Sequence, residues 1–345
     1  MTLPHLNKFL PAALGLLSCS ATALCQDGAK ADAFAAAAGK RLVDGQPNVA
    51  GDSAEWLFLV RELRQIALGK FWEKDWATTA SNKTDPTDHM VQFHELCKSK
   101  GLDLILAPVP AKAVVYPDKL DKSFAAGDAP SLKPYLQKLR DAGMTVVDLE
   151  EAFLARRTAG EDKLYCEQDA HYSPLACEIA AGLIKKELES RPWFAEVPKV
   201  AYTRSKVEKL EITGDQVKGS EWEGKLPTEK LDVTYVTGPS GTPGQSPVLL
   251  LGDSHTLVFH EGADMHCQNA GLLDQLQLEA GFSIDLLGVR GSGMMQALRQ
   301  LAYKAMKPDY LAPKKALVWV FSTREFTQSS DKLIRIPLGK DDKKP

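Results

Sequence analysis

Short apolar segments alternate with helical segments over most of the chain beyond residue 88. Continuous apolar runs predict buried strands, and apolar residues spaced three and four positions apart predict helices. Ser173 and Pro174 indicate one helix start, since serine is a preferred N-cap and proline fits the first helical position. The predicted strands are 56–60, 102–107, 145–148, 248–251, 284–287 and 316–321, and the predicted helices are 89–100, 131–142, 173–189, 271–280 and 293–307.

This alternation predicts an α/β fold with a mostly parallel sheet and helices on both faces. In such a sheet the reactive crevice lies at the carboxyl ends of the strands. Residues 193–246 interrupt the pattern with two short β-like pieces, 207–212 and 231–236, and a run rich in Gly, Pro and Ser over 238–247. We expect a small β-rich insertion there rather than a second core.

The N-terminal residues have the pattern of an export signal. An apolar stretch over 9–17 is followed by an A-x-A cleavage site at 21–23, and the stretch is too short to span a bilayer. Lipidation at Cys19 and a retained anchor are the alternatives. We therefore expect a periplasmic protein. The predicted organisation is a signal peptide over 1–23, a flexible lead-in over 24–50, one catalytic domain over 51–338 and a disordered tail over 339–345.

Composition is that of a globular protein and excludes several other classes. The chain has 345 residues, of which 44% are hydrophobic and 25% charged, with a formal net charge of −3. These values argue against a disordered chain, and the charge predicts no nucleic-acid partner. The six cysteines form no CxxC pair, which argues against a zinc ribbon or a thioredoxin-type site. Cys166 and Cys177 are either bridged or buried as free thiols.

The sharpest candidate for chemistry is the segment from 248 to 254. A buried strand leads into Gly252-Asp253-Ser254, which would present the serine hydroxyl at the carboxyl end of the strand. The backbone amides of Ser254 and its neighbour could then bind an oxyanion. An ordinary turn is the alternative.

A second segment supplies the base that a serine nucleophile needs. Asp169 precedes His171 by two residues, so its carboxylate can hold one ring nitrogen and leave the other to face a serine. A loop or capping histidine is the alternative, but Ser254 elsewhere in the chain favours a Ser-His-Asp triad.

A metal hydrolase is the main competing chemistry. It would use residues whose spacing matches no standard ligand set, and it would leave Ser254 unexplained. We therefore predict no metal and no cofactor. The ligands of that alternative would be Asp253, His255, His260 and His266 with Asp169 and His171.

Several short blocks follow one another in a fixed order: 56–59, 105–112 with 116–117, 164–165 with 169–172, 250–254, 290–293, and 318–319 with 322–325. In this order they resemble one family, the SGNH hydrolase-like domain of the AlgX/AlgJ-type alginate O-acetyltransferases. Each block is short, but their shared order is specific. The chain departs from the family pattern at His255, Tyr172 and Ser292, which bears on the substrate.

The resemblance implies that Ser254 carries the acyl group, His171 is the base and Asp169 orients it. It further implies transfer of acetyl to a polysaccharide acceptor, with a membrane-bound acyltransferase supplying the acetyl group. A carbohydrate esterase of the SGNH type and an inactive polysaccharide-binding module are the alternatives. A binding module would not need Ser254, whereas an enzyme would.

Further candidate residues lie near the predicted crevice. Arg290, Gly291 and Gly293 could supply oxyanion donors or hold a sugar carboxylate, although a plain tight turn is the alternative. Arg324 could bind an acidic sugar or form a salt bridge with a neighbouring acid. Tyr172 is a further candidate for substrate binding. Four aromatic residues could stack on sugars or belong to the core: Trp56, Trp72, Trp76 and Tyr116.

Overall fold

A computed structural model describes residues 20–160, 163–291, 293–307, 309–339 and 342. Within these residues the chain forms β-strands that are mostly short. They are β1 (Asn48–Ala50), β2 (Leu57–Leu59), β3 (Asp103–Val109), β4 (Thr145–Val146), β5 (Thr203–Arg204), β6 (Glu208–Ile212), β7 (Glu229–Val233), β8 (Val236–Thr237), β9 (Val248–Gly252), β10 (Asp285–Gly288) and β11 (Ala316–Ser322).

The helices of the same residues range from one turn to more than five. They are α1 (Ser20–Lys40), α2 (Val60–Ala67), α3 (Trp76–Thr79), α4 (Pro86–Ser99), α5 (Lys112–Val115), α6 (Pro117–Leu120), α7 (Lys133–Asp141), α8 (Leu149–Thr158), α9 (Pro174–Glu189), α10 (Leu272–Ala280), α11 (Met294–Ala305) and α12 (Glu325–Gln328).

A five-stranded parallel sheet forms the centre of the protein, in the order β10-β9-β11-β3-β4. The predicted α/β fold with a mostly parallel sheet is therefore confirmed. Because β11 lies between β9 and β3, the segments that follow these three strands meet at one edge. That edge is where the predicted crevice should lie.

Both faces of this sheet are buried, which explains why its strands are apolar throughout rather than alternating. Leu250 and Val318 belong to a core cluster on one face, which α2, α8, α9 and α10 complete. Their neighbours Leu249 and Trp319 belong to the cluster on the other face, covered by α4, α7 and α11.

Local capping decides where two of the helices begin. The Ser173 hydroxyl accepts a hydrogen bond from the Ala176 amide at 3.3 Å, so the predicted N-cap of α9 is confirmed. Helix α4 begins at Pro86, earlier than predicted. The Asp85 carboxylate accepts from the Thr87 amide at 2.8 Å and caps a proline start that the apolar spacing did not show.

The predicted flexible lead-in over 24–50 is wrong. Helix α1 runs through most of it, and β1 pairs with β2 in a small antiparallel sheet. Phe34 is fully buried and packs edge-on against Phe124 at 5.0 Å between ring centroids. The segment is ordered because this face of the helix enters the core.

Residues 193–246 contribute no strand to the central sheet. Within them β5 pairs with β8, and β6 pairs with β7, in two small antiparallel sheets. This segment therefore packs beside the main sheet, and its residues 213–229 reach the site described below.

The predicted ends of the chain are described only in part. Residues 1–19 of the predicted signal peptide lie outside the described residues, as does most of the predicted tail over 339–345. No helix in the described ranges is both long and apolar enough to cross a membrane. Of the alternatives for the cysteines, the structure has the unbridged one, with Cys166 and Cys177 as buried free thiols.

Candidate active site

Ser254 lies directly beyond the carboxyl end of β9. The last residue of that strand, Gly252, approaches β11 so closely that a Cβ atom there would lie 2.2 Å from the Val320 carbonyl oxygen. Glycine is needed at that position because no side chain fits. A short 3₁₀ turn, Ser254–Thr256, follows and leaves the Ser254 side chain half-buried at the sheet edge.

The Asp253 carboxylate holds this turn in place by accepting hydrogen bonds. One oxygen accepts hydrogen bonds from both the backbone amide and Nδ1 of His255, each at 2.9 Å. The other accepts from the Ser322 amide at 3.0 Å, which ties the end of β9 to the end of β11. Asp253 is therefore a structural residue of the turn and is 2% exposed.

His171 and Asp169 lie at the tip of a narrow loop before α9. Tyr165 and Tyr172 form an isolated antiparallel bridge across the base of this loop. Its backbone is further closed by a hydrogen bond from the Cys166 amide to the His171 carbonyl at 3.3 Å. The loop thus holds His171 beside the α9 start, where it faces Ser254.

The three side chains of the predicted triad are in hydrogen-bond contact. His171 Nε2 lies 2.7 Å from Ser254 Oγ, and His171 Nδ1 lies 2.6 Å from Asp169 Oδ1. An imidazole protonated on Nδ1 donates to the carboxylate and leaves Nε2 to accept the serine proton. The arrangement can activate a hydroxyl as a nucleophile.

Burial and the neighbouring charges have opposite effects on the pKa values of His171 and Asp169. Burial by itself lowers the pKa of His171, but the charge and hydrogen bond of Asp169 outweigh it and raise that pKa to about 9. Burial would raise the pKa of Asp169, yet the charges and hydrogen bonds of His171 and His266 hold it well below its usual range. Asp169 therefore stays ionised while it is hydrogen-bonded to His171.

Asp169 receives further hydrogen bonds that the sequence did not indicate. Its Oδ2 accepts from the Asp215 amide at 2.8 Å and lies 2.9 Å from His266 Nε2. The Asp215 side chain in turn accepts from the Ala170 amide at 2.8 Å. These contacts come from segments 46 and 97 residues away, so the spacing within the 169–171 motif could not reveal them.

The turn that carries Asp215 lies unusually close to the base of the triad. A Cβ atom on Gly214 would be 1.9 Å from the Gln168 carbonyl oxygen, so only glycine allows this approach. Glu229 of the same insertion accepts from the Glu167 amide at 2.8 Å. Residues 213–229 therefore support the Asp169 loop directly.

Lys112 also stabilises the Asp169 loop through hydrogen bonds. It is fully buried, and its ammonium donates to the Leu57 carbonyl at 2.6 Å, the Glu167 carbonyl at 3.1 Å and Gln216 Oε1 at 3.0 Å. One cation thereby joins three segments that are distant along the chain.

The glycine block after β10 is not placed as an open oxyanion hole. Gly293 precedes α11, and the Glu325 carboxylate occupies that helix start, accepting from the Met294 amide at 3.3 Å. A Cβ on Gly293 would lie 2.5 Å from the same carboxylate, and Gly291 takes a left-handed turn conformation with φ of +60°. The tight-turn alternative therefore fits both glycines.

On the Ser254 turn, one of the two amides predicted as oxyanion donors is already used. The His255 amide donates to Asp253. The Ser254 amide has no acceptor among the residues that the structure describes, so it is the available donor at the nucleophile.

The two arginines are engaged in ion pairs. Arg290 contacts Glu261 at 2.5 Å and Asp264 at 2.5 Å, on the surface. Arg324 contacts Glu62 at 3.2 Å, and its side chain is 12% exposed. The salt-bridge alternative therefore describes Arg324, and Arg290 would have to break contacts with two carboxylates to bind an acidic sugar.

The expectation that Tyr172 binds substrate is wrong, because its side chain is fully buried. Its hydroxyl donates to the His255 carbonyl at 2.5 Å, so it braces the Ser254 turn. Trp56 and Tyr116 are likewise core residues, with ring centroids 4.6 Å apart. Trp72 and Trp76 pack on Phe71 in the second core cluster.

The candidate histidine ligands already form hydrogen bonds with carboxylates. His255 Nδ1 contacts Asp253 at 2.9 Å, and His260 Nδ1 contacts Asp274 at 3.0 Å. Across the described ranges, the three-residue group with ligand atoms close enough for an ion is Asp169, His171 and Asp215. Because His171 and Asp169 already bond each other there, a metal would have to displace the triad contacts.

The chain is similar to known proteins over most of its length. The chain is 24% identical over 301 residues to the probable alginate O-acetylase AlgJ of Pseudomonas aeruginosa, covering 84% of this chain and 73% of that protein. It is 24% identical over 349 residues to the alginate biosynthesis protein AlgX of Pseudomonas putida, covering 92% of this chain and 68% of that protein.

The fold is also that of a solved relative. The O-acetyltransferase domain of Pseudomonas putida AlgJ matches with a TM-score of 0.63 at 21% identity, covering 82% of this chain and 93% of that one. The family model described as "SGNH hydrolase-like domain, acetyltransferase AlgX" matches residues 49–323. The resemblance noted in the sequence is confirmed, and the chain belongs to the AlgX family of SGNH hydrolase-like acetyltransferase domains.

Proposed function

We propose that this protein is an O-acetyltransferase that acetylates hydroxyls of an exported, alginate-like polysaccharide through an acetyl-Ser254 intermediate. The observation that carries the proposal is the unbroken contact from Ser254 Oγ through His171 to Asp169. The acetyltransferase family supports the reaction, and the AlgJ relative named as an alginate O-acetylase supports the class of acceptor.

In the first step Ser254 Oγ attacks the carbonyl carbon of an acetyl donor, and its proton passes to His171 Nε2. The Ser254 amide stabilises the oxyanion of the tetrahedral intermediate. As that intermediate collapses, the bond to the donor breaks, and His171 returns the proton to the leaving group. The acetyl group is then an ester of Ser254.

In the second step a sugar hydroxyl takes the place of the donor. His171 Nε2 removes its proton while its oxygen attacks the acetyl carbon, and collapse of the intermediate breaks the bond to Ser254 Oγ. The proton held by His171 restores the serine hydroxyl. Attack by water instead of a sugar would make the protein an esterase.

The export signal predicted over 1–23 supports a periplasmic location. Acetyl-CoA is confined to the cytoplasm, so a periplasmic enzyme needs its acetyl groups to cross the membrane. We infer that a membrane-bound acyltransferase supplies them to Ser254.

Serine and histidine variants test this proposal directly. The protein should release p-nitrophenol from p-nitrophenyl acetate, whereas Ser254→Ala and His171→Ala should lose at least a thousandfold in kcat/KM because nucleophile and base are removed. Mass spectrometry should find an acetyl group on the Ser254 peptide of the unmodified protein. Ser190→Ala, on an exposed serine at the end of α9, serves as the matched control and should retain full rate.

Addition of alginate oligosaccharides should then move the acetyl group from the Ser254 peptide to sugar. Loss of the acetyl group to water alone, at the same rate with and without sugar, would support the esterase alternative. Unchanged ester cleavage in the Ser254→Ala protein would remove the triad from consideration, and full polysaccharide binding without turnover would support a binding module.

A further inference from the structure

His266 contacts the oxygen of Asp169 that faces away from the catalytic base. Its Nε2 lies 2.9 Å from Asp169 Oδ2, and its side chain is 3% exposed. Since an ionised carboxylate only accepts hydrogen bonds, His266 must carry a proton on Nε2 to make this contact. The buried chain of contacts therefore continues from Ser254 through His171 and Asp169 to a second imidazole.

The backbone at His266 is held in an unfavourable conformation that brings this contact about. Its φ of +74° and ψ of −75° are those of a rare, strained γ-turn, and the Cys267 amide donates across it to the Met265 carbonyl at 3.1 Å. Two flanking hydrogen bonds close the same hairpin, from Phe259 to Met265 and from Gly262 to Cys267. Strain of this kind persists where the surroundings enforce it and is concentrated at functional sites.

The other hydrogen bonds of Asp169 show what His266 adds. Oδ1 accepts from the amide and Nδ1 of His171, and Oδ2 accepts from the Asp215 amide. These donors lie on the Asp169-x-His171 motif itself or on the Asp215 turn that contacts it, whereas His266 lies on a separate segment. His266 is thus the one side chain outside the predicted triad, among the described residues, that bonds this carboxylate.

We propose that His266 is a positioning residue of the acyl-transfer site, which fixes the Asp169 carboxylate so that Oδ1 points at His171. This inference rests on the function proposed above. During each step His171 becomes an imidazolium, and its charge is balanced by Asp169. A donor on Oδ2 holds that carboxylate in place and makes it less basic, so that His171 can release its proton again.

The charged and titratable groups around the pair define what else could act on it. Asp215 Oδ2 lies 3.7 Å from His171 Nδ1, and the His255 ring lies 5.0 Å from the His171 ring. Asp253 is hydrogen-bonded to His255, and the charge of the buried Lys112 interacts with the charge of Asp169. All of these groups stay unchanged when His266 alone is replaced.

Three variants separate positioning from simple packing. The His266 ring lies 5.3 Å from the Phe259 ring. His266→Phe keeps a ring there but removes the donor, whereas His266→Gln keeps an amide donor at the same distance along the side chain. His260→Phe is the matched control, because it breaks a His–Asp pair on the same segment, with Asp274, that does not touch Asp169. Each is measured for kcat/KM with p-nitrophenyl acetate from pH 5 to 10 and for Tm.

His266→Phe should lower kcat/KM about tenfold, the effect of one lost hydrogen bond to a charged group. It should also move the ascending limb of the pH profile, where His171 loses its proton, to higher pH. His266→Gln should restore the limb and most of the rate. His260→Phe should lower Tm while leaving the limb in place. In ¹H NMR, the downfield resonance of the His171–Asp169 bond should shift in His266→Phe alone.

Two outcomes would overturn the proposal: a His266→Phe profile that keeps the limb and resonance of the unmodified protein, or a His266→Gln protein as impaired as His266→Phe. Either result, combined with an inactive Ser254→Ala variant, leaves the acyl-transfer function standing and removes only the role of His266. An active Ser254→Ala variant would instead remove the proposed function itself.

Discussion

Aspartate followed by histidine two residues later makes the same local structure twice in this protein. Asp169 Oδ1 accepts from both the amide and Nδ1 of His171, and Asp253 Oδ1 accepts from both the amide and Nδ1 of His255. The spacing lets one oxygen bind the backbone and the ring of the same residue. It therefore orients each imidazole with Nδ1 toward the carboxylate and Nε2 away from it.

The charge of His171 gives a prediction at this scale. With a pKa raised to about 9 by Asp169, the imidazole is protonated on both nitrogens at neutral pH and cannot accept the Ser254 proton. Below that pKa, the active, neutral form becomes about tenfold more abundant for each unit by which the pH rises. We expect kcat/KM with p-nitrophenyl acetate to rise accordingly from pH 6 to 8 and to level off near pH 9.

The rate of the Ser254→Ala protein, subtracted at each pH, removes ester cleavage by hydroxide. A corrected profile that levels near pH 6.5, the ordinary value for histidine, would show that Asp169 does not hold the proton on His171.

Helix α1 shows how an element can be ordered by packing that its sequence only weakly indicates. It is rich in alanine, which favours helix, and its buried positions 34, 35 and 38 form one face. Small alanines give little hydrophobic contrast, so the face does not show in the apolar pattern. Phe34 is the one large apolar side chain of that face and joins the core cluster with Trp56 and Phe58.

Replacing Phe34 by alanine tests whether this helix belongs to the folded core. Because the ring is fully buried, Phe34→Ala should lower the free energy of unfolding by about 3–5 kcal/mol. Chemical denaturation monitored by circular dichroism measures the change. Asp32→Ala, on the exposed side of the same helix, should change it by less than about 0.5 kcal/mol. Equal, negligible effects would restore the view of a flexible lead-in.

At the scale of the whole molecule, Lys112 links parts of the chain that have no local connection. It follows β3 and donates to carbonyls of β2 and of the Asp169 loop, and to Gln216 in the inserted segment. Burial lowers the pKa of its ammonium, while the surrounding carboxylates of Asp169, Glu62 and Glu229 favour the charge. The lysine thus couples folding of the insertion to the position of the triad.

Lys112→Met keeps the length of the side chain but leaves three buried acceptors without their shared donor. We expect at least about 3 kcal/mol lower stability, since each unsatisfied buried acceptor costs about 1–3 kcal/mol. The rate of ester cleavage should fall as well because the Asp169 loop loosens. Thermal denaturation and kcat/KM at 10 °C measure the two effects.

Lys138→Met provides the surface comparison. The Lys138 side chain is 51% exposed, and its ion pair with Asp85 is a long one at 3.9 Å. Its loss should cost less than about 1 kcal/mol. A Lys112→Met protein that is as stable and active as Lys138→Met would contradict the linking role.

The sequence by itself determined the features that depend on near neighbours. Apolar runs set the central strands, Ser173 and Pro174 set the start of α9, and the Asp-x-His spacing set the ring contacts of both histidines. These features require only interactions within a few residues, which the order of side chains fixes directly. The parallel sheet followed from the alternation because strands buried on both faces need helices on each side.

The sequence predicted His171 as the base, but only the tertiary structure brings its ring to Ser254 and determines which residues support Asp169. His171 and Ser254 are 83 residues apart, and the donors to Asp169 from Asp215 and His266 come from 46 and 97 residues away. The tertiary structure also determines which carboxylates form ion pairs with Arg290 and Arg324. Contacts at such separations depend on how strands are ordered and how loops meet at one edge, and no local pattern encodes that geometry.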